Sequence, residues 1–339
     1  MTIMNDIFEN PNIQLIYDLS DEEQIRECFD KYGIVAIRDV LSKNEIEDSI
    51  KDIENIIRAT NKPDFSFDNP DTYEDVRNSV NAHGVIGKTP LFTKQLLHNR
   101  LHPNVVKAYK ILYGEEVGPL LCQHDRVAWM RPTIGPNYED WAKFRTPFIK
   151  PGIHLDVDPV GYYEPNYETE VLKFLNSLDY SDLRDFLHEN NSKHISMGLQ
   201  LQGVLNLIDN DDEDGGFHCV LGGHKHLEEW FNNAKKFLDS PKPNGRYNFT
   251  ENKTDRVFGS DYPTTRIPCP AGTLIIFDAT LPHGTKPNMS QNNRMIQFSR
   301  YMPKSAFNPN TLKKRANAIN KICKDVSFVP SNIEKEYLF

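Results

Sequence analysis

The chain contains no apolar run near the roughly 18 residues that a membrane-spanning helix needs, so an integral helical membrane protein is not expected. Its start, MTIMNDIFENPNIQLIYDLS, lacks the basic segment and apolar stretch of a secretion signal. Its end, EKEYLF, is neither a peroxisomal nor a retention address, and a cytoplasmic setting is expected. Without a secretory signal the Asn-x-Ser/Thr triplets at Asn190, Asn248, Asn252 and Asn288 carry no weight. Cysteine is sparse: five residues (Cys28, Cys122, Cys219, Cys269, Cys323), with no C-x-x-C pair, read as buried free thiols in a reducing compartment. Positive charge is also short, with 39 Lys and Arg against 48 Asp and Glu and a net charge of -9. Nucleic acid and anionic membrane both reward clustered positive charge, so neither is expected as a partner. A local basic pocket for a small anion is still compatible with this balance.

What is present is a core. Hydrophobic residues make up 38% of 339, with 19 Phe and 14 Tyr. Residues 20–32 pattern as a helix with Ser20 and Glu23 as a capping box and Gly33 as the stop. Residues 34–41 alternate as a strand. Ser42 and Glu45 open a second helix to about Ala59, with Ile46, Ile50, Ile53 and Ile57 on one face. Residues 60–90 are polar and turn-rich, and a helix with Pro103 in its first turn runs to Tyr113. After Gly114 the pattern becomes strand-like, at 117–130, 195–207, 273–279 and 294–301, and a helix follows near 311–324. No linker divides the chain. The expected fold class is mostly β with flanking helices in one domain over 1–339. Residues 1–115 form an N-terminal helical layer with one or two strands, 116–305 a β core with insertions at 162–194 and 232–265, and 306–339 a C-terminal helix and tail.

The sharpest local feature is Gly152-Ile153-His154-Leu155-Asp156. Side chains two apart on a strand share a face, so an imidazole and a carboxylate can reach one ion. A distant histidine would complete a facial triad, a ligand set that suits iron(II) with open positions. The segment from Gly272 to Asp278 reads as a core strand delivering Leu281-Pro282-His283-Gly284, where glycine lets the backbone turn close to a ligand. Arg294 follows eleven residues after His283. A guanidinium grips a carboxylate through two parallel hydrogen bonds, which suits the distal carboxylate of 2-oxoglutarate.

These pieces, with GIVAIRDVLSKNEI (33–46), HLDVDP (154–159), DEDGGFHCVLGGHKH (212–226) and GTLIIFDATLPHGTKPNMSQNNR (272–294), give the chain a resemblance to the phytanoyl-CoA dioxygenase-like oxygenases. The resemblance runs in family order over most of the chain. It implies a double-stranded β-helix, a jelly roll of the cupin-like kind. It implies His154, Asp156 and His283 as metal ligands, Arg294 on the cosubstrate and Thr285 as a hydroxyl assisting it. The implied cofactors are Fe(II), 2-oxoglutarate and O2. The reaction would be hydroxylation of a small organic molecule with release of succinate and CO2. Asp156 stands where related halogenases leave room for halide, which favours hydroxylation, desaturation or cyclisation. The chain departs from the family at Leu221-Gly222-Gly223-His224, where Pro-Gly-Ser-His is usual.

Several alternatives stay open. Asp158 competes with Asp156. The polar face Gln200, Gln202, Val204 and Asn206 could line the cavity, with Gln202 or Asn206 touching cosubstrate or substrate. Gln123, Arg126 and Arg131 are candidates for a polar group before the H-x-D motif. His218, His224 and His226 read as a turn with His224 bonded to backbone, and Asp-Asn-Asp-Asp-Glu-Asp at 209–214 as a solvated turn. Lys235, Lys236, Lys242 and Arg246 read as an exposed charged loop. Two other classes compete: a non-catalytic β-helix binding or regulatory protein, and a zinc or manganese hydrolase or isomerase in the same pocket. Oligomeric state is not legible.

Overall fold

Amphipathic spacing places the first helix. In the computed structural model, α1 (Glu22–Tyr32) buries Ile25, Cys28, Phe29 and Tyr32, one stripe of a 3.6-residue period. The structure describes residues 13–339 except 61, 75, 77–79, 149, 164–166, 192–199, 239–245, 253, 254 and 259–261. The N-cap of α1 is Asp21 with no side-chain cap bond, so the Ser20–Glu23 box is not formed. The Asp21 carboxylate turns back to the N–H of Asp18 instead. Gly33 ends the helix at φ 73°, as a left-handed cap requires. In α2 (Lys43–Thr60) the box does form: Glu45 accepts from the Ser42 N–H at 2.7 Å, and the Ser42 hydroxyl accepts from the Glu45 N–H at 3.4 Å. β2 (Ile34–Ile37) stops short of the expected 41, because Asp39 takes a left-handed φ of 55° and breaks the extended run. Two helices, α3 (Lys94–Leu101) and α4 (Pro103–Tyr113), close this layer; α3 was not apparent in the sequence.

Two sheets carry the core. The first has the order β1-β2-β10-β6-β12-β4, with β1 Ile16–Tyr17, β4 Val127–Met130, β6 Leu201–Asn206, β10 Leu274–Asp278 and β12 Arg294–Ser299. The second has the order β8-β5-β11-β7-β9, with β5 Ile153–Leu155, β7 Gly216–Cys219, β8 Tyr247–Asn248, β9 Thr265–Arg266 and β11 His283–Lys286. They face each other across Phe217 and Phe277, whose rings lie 4.7 Å apart. Among the described residues only β1 and β2 pair in parallel; the other strand pairs are antiparallel.

The expected strand 117–130 is two strands, β3 (Leu120–Cys122) and β4, and the expected 294–301 divides into β12 and β13 (Tyr301–Pro303). β3 and β13 pair with each other as a separate ladder. The first part of the expected strand 195–207, and Lys242, lie outside the described residues. The segment 162–194 contains the end of α5 (Pro159–Tyr163), then α6 (Tyr167–Ser177) and α7 (Asp185–Asn191). The segment 232–265 begins in α8 (Leu227–Ala234) and supplies β8 and the first residue of β9, so it contributes edge strands. The C-terminal part holds α9 (Pro309–Asp325) and a further helix, α10 (Asn332–Leu338), opened by a Ser331–Glu334 capping box. Among the described residues no helix is long and apolar enough to cross a membrane.

Candidate metal centre and anion pocket

β11 pairs antiparallel with β5 so that His283 lies directly opposite His154. Directly opposed residues of a ladder point to the same face. The two imidazole rings are 4.5 Å apart. Gly284 makes this pairing possible, since a Cβ there would stand 2.0 Å from the Gly152 carbonyl oxygen. Its role is strand approach and not approach to a ligand.

Asp156 lies just beyond the last residue of β5, in a bend. Its carboxylate oxygens stand 3.4 Å from His154 Nε2 and 3.7 Å from His283 Nε2. One donor atom from each of the three residues falls within 4.8 Å of the other two. The Nδ1 of His283 is 2.8 Å from the Leu281 carbonyl oxygen. That bond fixes the proton on Nδ1 and leaves the Nε2 lone pair facing the other two donors. Phe217 stacks on the His283 ring at 5.5 Å and Phe277 packs on it at 4.5 Å, which holds the ring orientation. Asp158, the competitor, caps α5, accepting from the N–H groups of Val160 at 2.9 Å and Gly161 at 3.0 Å. It is not part of the three-residue group.

The register of the first sheet fixes what else faces the triad. Arg294 opposes Met130, Ile296 opposes Asn206, Phe298 opposes Val204, and Phe277 opposes Gln202. Because Phe277 touches His283, this row is the inner face. Gln202 and Asn206 therefore both point inward. The Gln202 Nε2 is buried without a partner, whereas Asn206 is bonded to the Thr273 carbonyl oxygen. Thr285 is two residues along β11 from His283, on the same face, and is exposed to solvent.

Arg294 is 4% exposed. Among the described residues its Nη1 meets the Met130 sulfur at 3.4 Å and its Nε has no partner. Burial and the neighbouring Arg266 push its guanidinium down to about 9. A buried cation without a carboxylate is costly. Arg266 is already occupied, donating to the carbonyls of Gly215, Phe217 and Ile267 and to Asn210 Oδ1. Between the two guanidiniums lies Gly216, at φ 115°, where a Cβ would stand 2.7 Å from Arg294 Nε and 3.0 Å from Arg266 Nη2. Gly216 and Arg266 were not singled out in the sequence, although the paired glycines of Asp-Gly-Gly-Phe mark the place. Gly216→Ala should displace the Arg294 guanidinium, a shift that a structure of the variant would show.

The other candidates resolve differently. His218 faces away, with Nε2 3.2 Å from the Gly152 carbonyl oxygen, and burial pushes its ring down to about 3. Burial likewise pushes His224 to about 4, and it bonds to the Asp30 backbone. Gln123 bonds to Glu189, Arg126 pairs with Asp125, and Arg131 donates to the Tyr73 carbonyl oxygen. The acidic run forms a turn, but its Asp214 is buried and holds Ser290 and Asn292.

A second three-residue group, Glu45, His98 and His102, has donor atoms equally close. Here the His102 Nδ1 accepts from the Asn104 N–H at 3.2 Å, which places the proton on Nε2, facing Glu45. This is a hydrogen-bonded cluster, not a ligand set. Burial raises the Glu45 carboxyl, but Ser42, His98 and His102 outweigh it and hold the group at about 2. A depressed carboxyl contributes stability above its unfolded value, lost as pH falls through the folded one. Urea unfolding should show that loss between about pH 4.5 and 2, and Glu45→Gln should flatten it.

A sequence profile of the family "Phytanoyl-CoA dioxygenase (PhyH)" matches residues 185–296, a span that includes His283 and Arg294. A Dictyostelium discoideum protein that carries the phytanoyl-CoA dioxygenase name is 32% identical over 304 residues, covering 87% of this chain and 80% of its own. The crystal structure of the GlcNAc-inducible gene 2 product of Candida albicans superposes at a TM-score of 0.59 and 17% identity, over 99% of this chain and 77% of that one. A hypothetical protein of Escherichia coli does so at 0.53 and 12%, over 89% and 74%. Both structures are alike in fold.

Proposed function

The chain belongs to the phytanoyl-CoA dioxygenase family, and from that premise we propose that it is an Fe(II)- and 2-oxoglutarate-dependent oxygenase acting on a small organic molecule. The observation that carries the reading is the pairing of a His154–Asp156–His283 donor group with the buried, carboxylate-free Arg294. The strand order supports a double-stranded β-helix. From β4 to β7 the chain passes alternately between the two sheets, and it alternates again from β9 to β12. H-x-D and the second histidine then sit on neighbouring strands of one sheet, with the arginine on the other.

Two imidazoles and one carboxylate suit iron(II) with positions left open. His154, Asp156 and His283 would hold the metal, and Arg294 would bind the distal carboxylate of 2-oxoglutarate in the space that Gly216 leaves. Bound iron and cosubstrate supply the oxidising power, drawn from O2, that functionalises a C–H bond while succinate and CO2 are released. The chain itself orients and shields. The Leu281 carbonyl sets the His283 tautomer, Phe217 and Phe277 keep water from one side of the ring, and Thr285 stands beside the pocket. Asp156 would supply the third ligand, which favours hydroxylation, desaturation or cyclisation over halogenation.

The test is the visible spectrum of the protein with iron(II) and 2-oxoglutarate under anaerobic conditions. Chelation of the cosubstrate gives a weak charge-transfer band, expected in the parent and reduced or lost in Asp156→Ala and Arg294→Ala. No band, together with no calorimetric binding of either component, would overturn the reading.

A further inference from the structure

The inner face of β12 does not end at Arg294. Alternation along Arg294, Ile296 and Phe298 brings Arg300 to the same face, one step past the Phe298–Val204 pair. Arg300 is thus at the opposite end of the row from the cosubstrate arginine, next to Gln202. Its hydrogen bonds are consistent with that placement. Nη2 donates to Gln200 Oε1 at 3.1 Å, and Gln200 is two residues before Gln202 on the same strand line. Nη1 donates to the carbonyl oxygen of Asn190, at the end of α7. Arg300 is 6% exposed, and its Nε has no partner among the described residues.

Its surroundings leave the charge uncompensated. The acceptors found for Arg300 are an amide and a carbonyl oxygen, not a carboxylate. Glu189, the nearby buried carboxylate, is already engaged by Arg315 at 3.0 Å. Burial pushes the Arg300 guanidinium down, offset in decreasing order by Tyr113, Glu189, Tyr109 and Asp156. Asp156 is nevertheless assigned to the ion. The site therefore holds a buried guanidinium and, at Gln202 Nε2, a buried amide donor without a partner, both on the wall that faces the triad. A neutral hydrocarbon substrate would leave both donors unsatisfied, which is costly for buried polar groups. An oxyanion would satisfy both.

We infer that the primary substrate carries a carboxylate or phosphate-type oxyanion, docked on Arg300 with Gln202, at the end of the inner face opposite Arg294. This deepens the proposed function and rests on it. Arg294 then takes the cosubstrate, and Arg300 sets which molecules reach the metal.

The experiment uses full-length protein with iron(II) and saturating 2-oxoglutarate, so that Arg294 is occupied. The probes are butanoate, butyl phosphate and the neutral isostere butanamide, with binding read by calorimetry and by displacement of the charge-transfer band. The parent is expected to bind one or both anions about 10- to 100-fold more tightly than butanamide, and the two anions tell a carboxylate subsite from a phosphate one. Arg300→Met should abolish that preference and Arg300→Lys should keep part of it. Equal binding of anions and amide by the parent, or no binding of either anion, would overturn the inference. So would an unchanged preference in Arg300→Met. If that variant does not fold, Gln202→Leu and the parent ratio still decide. A missing charge-transfer band sinks the cofactor reading alone, because the parent-minus-Arg300→Met difference isolates the subsite whatever the metal loading.

Discussion

On the proposed function, His154→Ala and Asp156→Ala should each lose bound iron and reduce 2-oxoglutarate turnover on the order of a thousand-fold or more, as expected when a metal that stabilises the transition state by several kcal/mol is removed. Metal content by elemental analysis and succinate formation are the two readouts. The expectation follows from the compactness of the group, whose donor atoms all lie within 4.8 Å of one another. Removal of one leaves two donors, and for Asp156 it also removes the negative charge that offsets the ion. Asp158→Ala is the informative control. It deletes the acceptor for the Val160 and Gly161 N–H groups and should cost about 1 kcal/mol of stability, the usual value of a helix cap, while metal content is retained. If Asp158→Ala lost the metal and Asp156→Ala kept it, the ligand assignment would be wrong.

The second large effect is on stability. Arg315→Met or Glu189→Gln should destabilise the protein by about 3–5 kcal/mol in urea unfolding, because each leaves a fully buried charge without its partner. Glu189 accepts from Arg315 Nε at 3.0 Å, from the Tyr180 hydroxyl at 2.9 Å and from Gln123 Nε2 at 3.3 Å. Arg315 also donates to the carbonyls of Leu338 and Cys122. One ion pair thereby ties α7, α9, α10 and β3 together. The double variant Glu189→Leu/Arg315→Met removes both charges at once and should cost less than the two single losses combined. Additive losses would mean that the pair is not coupled.

These two sites differ in how far the sequence discloses them. The His154–Asp156–His283 donor group was legible because its pattern is local. H-x-D is a three-residue pattern, and the spacing from His283 to Arg294 is set by the short connection that carries the chain from β11 in the second sheet to β12 in the first. Most strands of the first sheet were legible as well, since β6, β10 and β12 are among its longest and are largely buried, although β1 was not foreseen. Of the second sheet only β5, at the H-x-D triplet, was read as a strand. β5, β7, β8, β9 and β11 have two to four residues each and are built from His, Gly, Thr, Asn and Arg among the apolar residues. Such segments have little intrinsic strand preference and are extended because a partner strand is there to pair with them.

The sequence by itself determined the helices α1, α2, α4 and α9, the longer strands of the first sheet and the residue types of the candidate site, each set by periodicity or spacing over a few residues. The tertiary structure decided the rest. It separated Asp156 from Asp158 by spending the second on a helix cap. It split 117–130 into two strands, turned Gln202 inward beside Arg300, and put Gly216 between two guanidiniums that are 28 residues apart in the chain. Those outcomes depend on register between strands distant in sequence, and on which buried charges find partners. Both are set only when the two sheets close on each other.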